Sequence, residues 1–219
     1  MSDRTHPYSK EEIVTLEPFI GLGRDAVRVI TNLQQAQTAF DELRQQHFVG
    51  FDTESKPTFH KGQESDGPHV LQFSTPQRAY IFRSHITESH TVIRDLLESE
   101  DIVKIGFGLK DDLSRIQKKF GIHPKGVVDL SHSFKKNGYH NQVGVKSAIA
   151  IVFKKRLLKS RKLTTSNWSS ATLSDKQILY AANDAHAAIT VFHALNQLDK
   201  STPARLPVLT TNGPAENRL

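Results

Sequence analysis

The fold is decided by the stretch His47-Phe48-Val49-Gly50-Phe51-Asp52-Thr53-Glu54. It begins with apolar and small residues, which is typical of a strand buried on both faces of a sheet. Asp52 and Glu54 follow two residues apart, and residues with that spacing project to the same face of a strand. Two carboxylates so close repel each other unless a cation lies between them, and Mg²⁺ or Mn²⁺ would accept their oxygens as ligands. The pair alone also fits a strand that ends in a polar turn, so a metal site needs further carboxylates.

A second acidic position lies in the turn Gly106-Phe107-Gly108-Leu109-Lys110-Asp111-Asp112, between a predicted buried strand and a predicted helix. An acid in the first helical turn, at the carboxyl end of a strand, stands where open α/β sheets place their ligands. The alternative is that Asp111 or Asp112 only complements the positive end of the helix dipole.

A third acidic position lies on the long helix predicted over residues 175–198. Tyr180 and Asp184 are four residues apart, so their side chains share one face of this helix. Aspartate is a poor helix former, and its place in a small-residue stretch favours a functional role, whereas a helical tyrosine alone is usually a packing residue. We expect the small neighbours to let the helix approach the sheet closely; they are Ala181, Ala182, Ala185, Ala187 and Ala188.

The rest of the pattern predicts an α/β fold, with a mixed β-sheet flanked by helices on both faces. Strands are expected at 27–30, 70–74, 78–82, 102–107 and 127–130, and helices at 31–46, 90–98, 109–120, 131–136 and 143–153. We expect an irregular N-terminal arm over residues 1–25, one domain over 26–199 and a flexible C-terminal tail over 200–219.

Composition narrows the class of partner and the kind of metal site. The formal net charge of +6 favours a polyanion such as nucleic acid. The chain of 219 residues contains no cysteine, which excludes disulfides and thiolate metal sites. Because the sequence lacks a signal-peptide pattern and an apolar run of membrane-spanning length, we expect a cytoplasmic location and no membrane partner.

A basic segment precedes the long helix, and we expect it to follow a nucleic-acid backbone, although a solvated basic face is the alternative. Its cations are Lys154, Lys155, Arg156, Lys159, Arg161 and Lys162. Phe59, just after the acidic pair, is a candidate for stacking on a base. Trp168 is expected to be a packing residue.

The candidate acids form a set that phosphodiester chemistry could use. Asp52, Glu54, Asp112 and Asp184 could hold two divalent ions about 4 Å apart, an arrangement that clamps the attacking and leaving oxygens. The Tyr180 hydroxyl could orient the attacking water.

These segments resemble the three exonuclease motifs of the DEDD (DnaQ-like) superfamily. They are Phe51-Asp52-Thr53-Glu54, Gly108-Leu109-Lys110-Asp111-Asp112 and Tyr180-Ala181-Ala182-Asn183-Asp184. The tyrosine four residues before the last aspartate is similar to the DEDDy branch, whereas the DEDDh branch would have a histidine at position 179. The run 162–169 and the run 173–177 are similar to ribonuclease D and to the Werner-syndrome exonuclease-domain family. The resemblance covers residues 27–198.

The resemblance implies a ribonuclease-H-like fold and a metal-dependent 3′→5′ exonuclease that releases nucleoside 5′-monophosphates from DNA or RNA with two Mg²⁺ or Mn²⁺ ions. It makes Asp52, Glu54, Asp112 and Asp184 metal ligands and Tyr180 the residue that orients the nucleophilic water. The partner would be a single strand or a recessed 3′ end. Two alternatives remain: a catalytically silent nucleic-acid-binding module, and a nuclease subunit activated by a partner.

Overall fold

The computed structural model describes residues 7–58, 60, 63, 65–136, 139 and 142–201. The predicted stacking residue Phe59 and the predicted tail from residue 202 onward lie outside these ranges.

Eight strands lie within the described residues. They are β1 (Glu17–Pro18), β2 (Val27–Val29), β3 (Phe48–Glu54), β4 (Val70–Ser74), β5 (Ala79–Arg83), β6 (Val103–Gly106), β7 (Val127–Asp129) and β8 (Lys155–Arg156). Six of them form the central sheet, in the order β2-β5-β4-β3-β6-β7, and β1 pairs with β8 separately. Only β4 runs against its neighbours, β3 and β5; the other pairings in the central sheet are parallel. The sheet is therefore mixed, as predicted.

Helices cover both faces of this sheet, which confirms the predicted layers. They are α1 (Lys10–Thr15), α2 (Leu33–Leu43), α3 (His90–Glu98), α4 (Lys110–Phe120), α5 (Leu130–Lys136), α6 (Val145–Phe153), α7 (Arg161–Thr164) and α8 (Asp175–Ser201). Apolar residues of α2, α3 and α4 form one core with β3, β4 and β5. Those of α6 and α8 pack with β6 on the other face.

β3 lies inside the sheet, and its two faces have different roles. Phe51 is fully buried, with its ring centroid 5.1 Å from that of Phe73 on β4, in the core beneath α2 and α3. Gly50, Asp52 and Glu54 alternate with these residues and face α8. A β-carbon at Gly50 would lie 1.9 Å from the carbonyl oxygen of Ala185, so only glycine admits α8 this close. The predicted close approach of the small-residue helix is confirmed.

The N-terminal segment differs from its prediction as an irregular arm. Ser9 and Glu12 form a capping box that starts α1. β1 then pairs in parallel with β8, and the Phe19 amide donates to the carbonyl oxygen of Arg156 at 2.8 Å. A two-residue strand whose partner lies far along the chain leaves no periodic pattern in the sequence. Among the described helices, none combines the length and the apolar character needed to cross a membrane.

Candidate active site

Three carboxylates meet where the end of β3 faces the middle of α8. One ligand oxygen each from Asp52, Glu54 and Asp184 lies within 4.8 Å of the others. The side chains of Glu54 and Asp184 are buried, and Asp52 is partly exposed. β3 supplies two of these acids because alternate residues share a face, and Gly50 lets α8 supply the third. This oxygen-only donor set suits a hard divalent cation.

Burial and mutual repulsion make this cluster unstable as a set of bare charges. Removal from water raises the pKa of Asp52 well above its ordinary value, and Asp112 and Asp184 raise it further. Burial, together with Asp52 and Asp184, raises the pKa of Glu54 to about 10. Burial also raises the pKa of Asp184. Bound cations would relieve both causes, so the residues present fit a metal site.

Asp112 lies at the edge of the cluster and is bound by Thr53, the residue between Asp52 and Glu54 on β3. The Thr53 hydroxyl donates to Asp112 Oδ1 at 2.6 Å, and Arg115 lies 3.8 Å from the same oxygen. The preceding acid, Asp111, is exposed. The structure therefore places Asp112 rather than Asp111 beside Asp52, although Asp112 stands outside the tight group of three oxygens.

The turn that carries Asp112 is held by an acid that the sequence analysis missed. Asp129, at the end of β7, accepts the backbone amides of Gly108 and Leu109, each at 3.0 Å. The sequence could have indicated this acid, because Asp129 lies at the end of a predicted short strand and the carboxyl ends of parallel strands meet at one edge of a sheet.

Tyr180 points from α8 towards the same carboxylates and is almost completely buried. Its hydroxyl lies 2.8 Å from Thr164 Oγ1, and its ring centroid lies 5.7 Å from that of Trp168. Burial and the nearby Asp184 raise the pKa of the phenol, so the hydroxyl keeps its proton. Trp168 is fully buried, as predicted for a packing residue.

The predicted basic segment divides into parts with different surroundings. Lys155 pairs with Glu17, and Arg156 donates to the carbonyl oxygen of Val14 at 2.9 Å, so both contact the N-terminal segment. The exposed members are Lys154, Arg161 and Lys162.

Lys159 lies inside the acidic site. Its ammonium is 2.6 Å from Asp184 Oδ2 and 5.2 Å from the Tyr180 ring centroid. Burial alone would lower the pKa of Lys159, but Asp184 and Asp52 raise it above its ordinary value. The sequence placed this lysine in a basic row and gave no sign that it turns inward.

A cleft of about 360 Å³ opens beside the carboxylates. Asp52, Asp184 and Lys159 line one side, and Gly144 and Lys146 line the side formed by the start of α6. Gly144 caps α6 without a side-chain hydrogen bond. The first turn of α6 thus lines the cleft, and a helix N-terminus attracts anions.

Gln72 is a further buried polar residue that the sequence analysis missed. It lies opposite Asp52 in the β3–β4 ladder, and its side chain is fully buried. Neither of its amide heteroatoms has a hydrogen-bond partner among the described residues. Such a group is rare in protein interiors.

The mixed sheet, its covering helices and the acids at the end of β3 define an α/β protein of the ribonuclease-H-like class with an acidic site. The chain belongs to the 3′–5′ exonuclease family, whose model matches residues 27–198. Nucleases of this family depend on metal ions, and the acidic cluster is the part of the chain suited to hold them. The family resemblance seen in the sequence is confirmed.

Two relatives and one solved structure illustrate the similarity. A 3′–5′ exonuclease of Arabidopsis thaliana is 31% identical over 156 residues, which cover 69% of this chain and 53% of that protein. The bifunctional 3′–5′ exonuclease/ATP-dependent helicase WRN of Mus musculus is 29% identical over 68% of this chain and 11% of its own length. Ribonuclease D of Trypanosoma brucei, solved in complex with RNA U12, superposes with a TM-score of 0.68 at 18% identity, covering 84% of this chain and 64% of that one.

This chain therefore spans about half the length of the Arabidopsis relative and about a tenth of that of the mouse protein.

Proposed function

We propose that this protein is a metal-dependent 3′→5′ exonuclease that hydrolyses the terminal phosphodiester bond of a nucleic-acid strand and releases nucleoside 5′-monophosphates. The observation that carries the proposal is the meeting of Asp52, Glu54 and Asp184 beside Tyr180 at the edge of a cleft. Family membership supports the same reaction.

The acids would hold two Mg²⁺ or Mn²⁺ ions. Asp52, Glu54 and Asp184 offer oxygens that lie close together. Asp112, which accepts the Thr53 hydroxyl, would be the fourth ligand. When bound, such ions lower the pKa of a water molecule and stabilise the departing 3′ oxygen. The carboxylates contribute by fixing where the ions sit.

Tyr180 would orient the nucleophilic water. Its hydroxyl is protonated, and Thr164 Oγ1 at 2.8 Å fixes its direction. Because the ring packs against Trp168, the side chain has little freedom to turn away. A fixed hydroxyl beside the carboxylates can hold water by a hydrogen bond without taking its proton.

The cleft would receive the 3′-terminal nucleotide. Its carboxylate side faces the first turn of α6, where Lys146 and the helix amides would favour a phosphate. The exposed Arg161 and Lys162 would extend this positive surface along the strand. The RNA bound to the ribonuclease D relative supports nucleic acid as the ligand. The proposal covers both DNA and RNA as substrates, and the expected cytoplasmic location stays a prediction.

The experiment uses 5′-labelled single-stranded DNA, single-stranded RNA and a recessed-3′ duplex, each incubated with Mg²⁺, with Mn²⁺ and with EDTA. A ladder that shortens from the 3′ end with metal and disappears in EDTA is the expected result. Asp52→Asn and Asp184→Asn should each reduce the rate by about a thousandfold or more, because each removes a metal ligand.

Asp111→Asn and Asp112→Asn form a matched pair, since the two acids are neighbours in the same helical turn. Asp112→Asn should inactivate the protein, while the exposed Asp111→Asn should leave the rate close to wild type. Cleavage that survives in Asp52→Asn, or that resists EDTA, would contradict the proposal. Strand binding without cleavage by the wild-type protein would instead support the silent binding module or the partner-activated subunit.

A further inference from the structure

The ammonium of Lys159 lies within the carboxylate cluster that is proposed to bind divalent ions. The residue before it, Leu158, is 67% exposed, whereas the Lys159 side chain is 21% exposed and turns inward. Its ammonium reaches Asp184 Oδ2 at 2.6 Å and lies 5.2 Å from the Tyr180 ring centroid.

The backbone around Lys159 is fixed from two sides. Its carbonyl oxygen accepts the Lys146 ammonium at 3.1 Å, which ties it to the start of α6. Immediately afterwards, the carbonyl oxygen of Ser160 accepts the amides of Leu163 and Thr164, each at 3.1 Å, and Thr164 contacts Tyr180 on α8. These contacts hold the backbone from which the Lys159 side chain reaches inward to Asp184.

The charge of Lys159 acts on the carboxylate that the metal would need. Asp184 Oδ2 is buried and accepts no well-aligned hydrogen bond from the described residues, so the ammonium is its close partner. A divalent ion at this cluster requires oxygens of the same carboxylate. An ammonium and a metal ion at such short range repel each other strongly in a partly buried site.

We propose that Lys159 is the built-in counter-ion of the acidic site: it neutralises Asp184 and is displaced from that carboxylate when divalent ions bind, so its charge sets the metal affinity. This inference rests on the proposed function, since it requires metal binding at the same carboxylates. Lys159 also lines the cleft. Its ammonium, once displaced, therefore stays beside the path of an entering phosphate.

The test compares Lys159→Met with Lys162→Met, which removes the same charge from an exposed position of the same segment. Mn²⁺ affinity is measured by the electron paramagnetic resonance signal of free Mn²⁺, with no substrate present. Lys159→Met should bind Mn²⁺ about tenfold tighter or more, because it removes a like charge from the site. Lys162→Met should bind as the wild type does.

Thermal unfolding gives a second readout that is independent of activity. In EDTA, Lys159→Met should unfold about 5 °C or more below Lys162→Met, since the buried carboxylates lose their counter-ion. Saturating Mn²⁺ should remove most of this difference, because the metal binds the folded protein. Lys159→Gln, which keeps a polar side chain of similar reach, is measured alongside and should show the same directions if Lys159→Met does not fold.

The outcomes separate the two proposals. If the wild type does not bind Mn²⁺, or if Asp52→Asn binds Mn²⁺ as the wild type does, the proposed function fails and this inference fails with it. If the wild type binds Mn²⁺ and neither Lys159 variant binds it more tightly, only the counter-ion role of Lys159 is overturned.

Discussion

The hydroxyl groups of Tyr180 and Thr164 lie 2.8 Å apart and connect α8 with α7 beside the acidic cluster. Neither hydroxyl is a metal ligand in the proposed site. We therefore expect Thr164 to act through Tyr180, as a positioning residue for the group that is proposed to orient the water.

Thr164→Val removes the hydroxyl and keeps the shape of the side chain. We expect a fall in kcat of about tenfold, with KM and Mn²⁺ affinity close to wild type, because only the direction of Tyr180 changes. Tyr180→Phe should lower kcat further, by about a hundredfold, with Mn²⁺ still bound. Single-turnover rates and Mn²⁺ titrations measure these effects.

The matched control is Thr165→Val, whose hydroxyl donates to the carbonyl oxygen of Arg161 on the exposed side of the same turn. It should retain the wild-type kcat. Equal rates for Thr164→Val and Thr165→Val would show that Tyr180 does not depend on this contact.

At the residue scale, the sequence predicted which acids meet but not what holds them. Asp52 and Glu54 were visible because strand spacing places them on one face, and Asp184 because aspartate is unusual within a helix. The supporting contacts of Thr53, Asp129 and Thr164 join residues far apart in the chain, so they have no local pattern. Lys159 was assigned to a basic row because the sequence does not report the direction of a side chain.

At the scale of elements, the contact between β3 and α8 sets the distance between the acids. We expect Gly50→Ala to push α8 away from the strand, since its new methyl group would lie 1.9 Å from backbone. The variant should lose about 1–3 kcal/mol of stability and most of its activity, because Asp184 moves with the helix. Denaturant unfolding and the cleavage assay measure both effects.

Gly144→Ala serves as the stability control. Apart from its two chain neighbours, no atom of the described residues lies within 4 Å of the added carbon, and the backbone there is extended. Its unfolding free energy should stay within about 0.5 kcal/mol of wild type. A Gly50→Ala protein as stable and active as wild type would contradict the close packing of β3 and α8.

β6 carries a second buried lysine, away from the acidic site. Lys104 is fully buried, and its ammonium donates to the carbonyl oxygen of Ser99, the C-cap of α3, at 2.6 Å. A cation at this helix end complements the dipole. Even so, burial lowers the pKa of Lys104 to about 8.

This shift predicts a pH dependence of stability. Between about pH 8 and the ordinary lysine value of 10.5, the unfolded chain binds the proton more readily than the folded protein does, so Lys104 adds stability as pH rises. The free energy of unfolding of wild type relative to Lys104→Met should grow by up to about 3 kcal/mol across this window. Urea unfolding at pH 7, 8, 9 and 10 measures the difference.

Lys176→Met is the matched control, since Lys176 is exposed in the first turn of α8. Its stability relative to wild type should be constant over the same range. A Lys104→Met difference that stays flat or shrinks with pH would contradict a destabilising charge at position 104.

The predictability of the elements follows the residues that they contain. The long helices and the strands β3, β4 and β5 were expected within a few residues of their observed bounds, because a period or a sustained apolar run marks each of them. The short strands β2, β6 and β7 were expected as well, because each contains valine or isoleucine residues. β1, β8 and α7 were missed because they are two to four residues long and contain few apolar residues. β1 and β8 depend on their pairing with each other, which joins residues far apart in the chain.

At the scale of the whole molecule, the N-terminal segment is a strap that ties β8 to α8. The amide of Leu22 donates to Asn183 Oδ1 at 2.7 Å, and Asn183 Nδ2 donates to the carbonyl oxygen of Leu22 at 3.3 Å. Farther along, Arg24 pairs with Asp175 at 2.9 Å on the surface. Asn183 precedes Asp184 on α8. Its side chain binds the N-terminal segment at Leu22, whereas the Asp184 side chain belongs to the acidic cluster.

The Asn183–Leu22 contact is partly buried and the Arg24–Asp175 pair is exposed, so we expect their loss to change stability by different amounts. Asn183→Ala leaves the amide and carbonyl of Leu22 partly buried without their partner, which should lower stability by about 1–3 kcal/mol. Arg24→Met breaks an exposed ion pair and should change stability by less than about 1 kcal/mol.

Limited proteolysis should cleave residues 7–26 faster in Asn183→Ala than in Arg24→Met. Both variants should keep a kcat close to wild type, because the carboxylates and Tyr180 are unchanged. Equal protection of the strap in the two variants would show that the Asn183 amide is not what holds it, and a large loss of kcat in Asn183→Ala would show that the strap also positions Asp184.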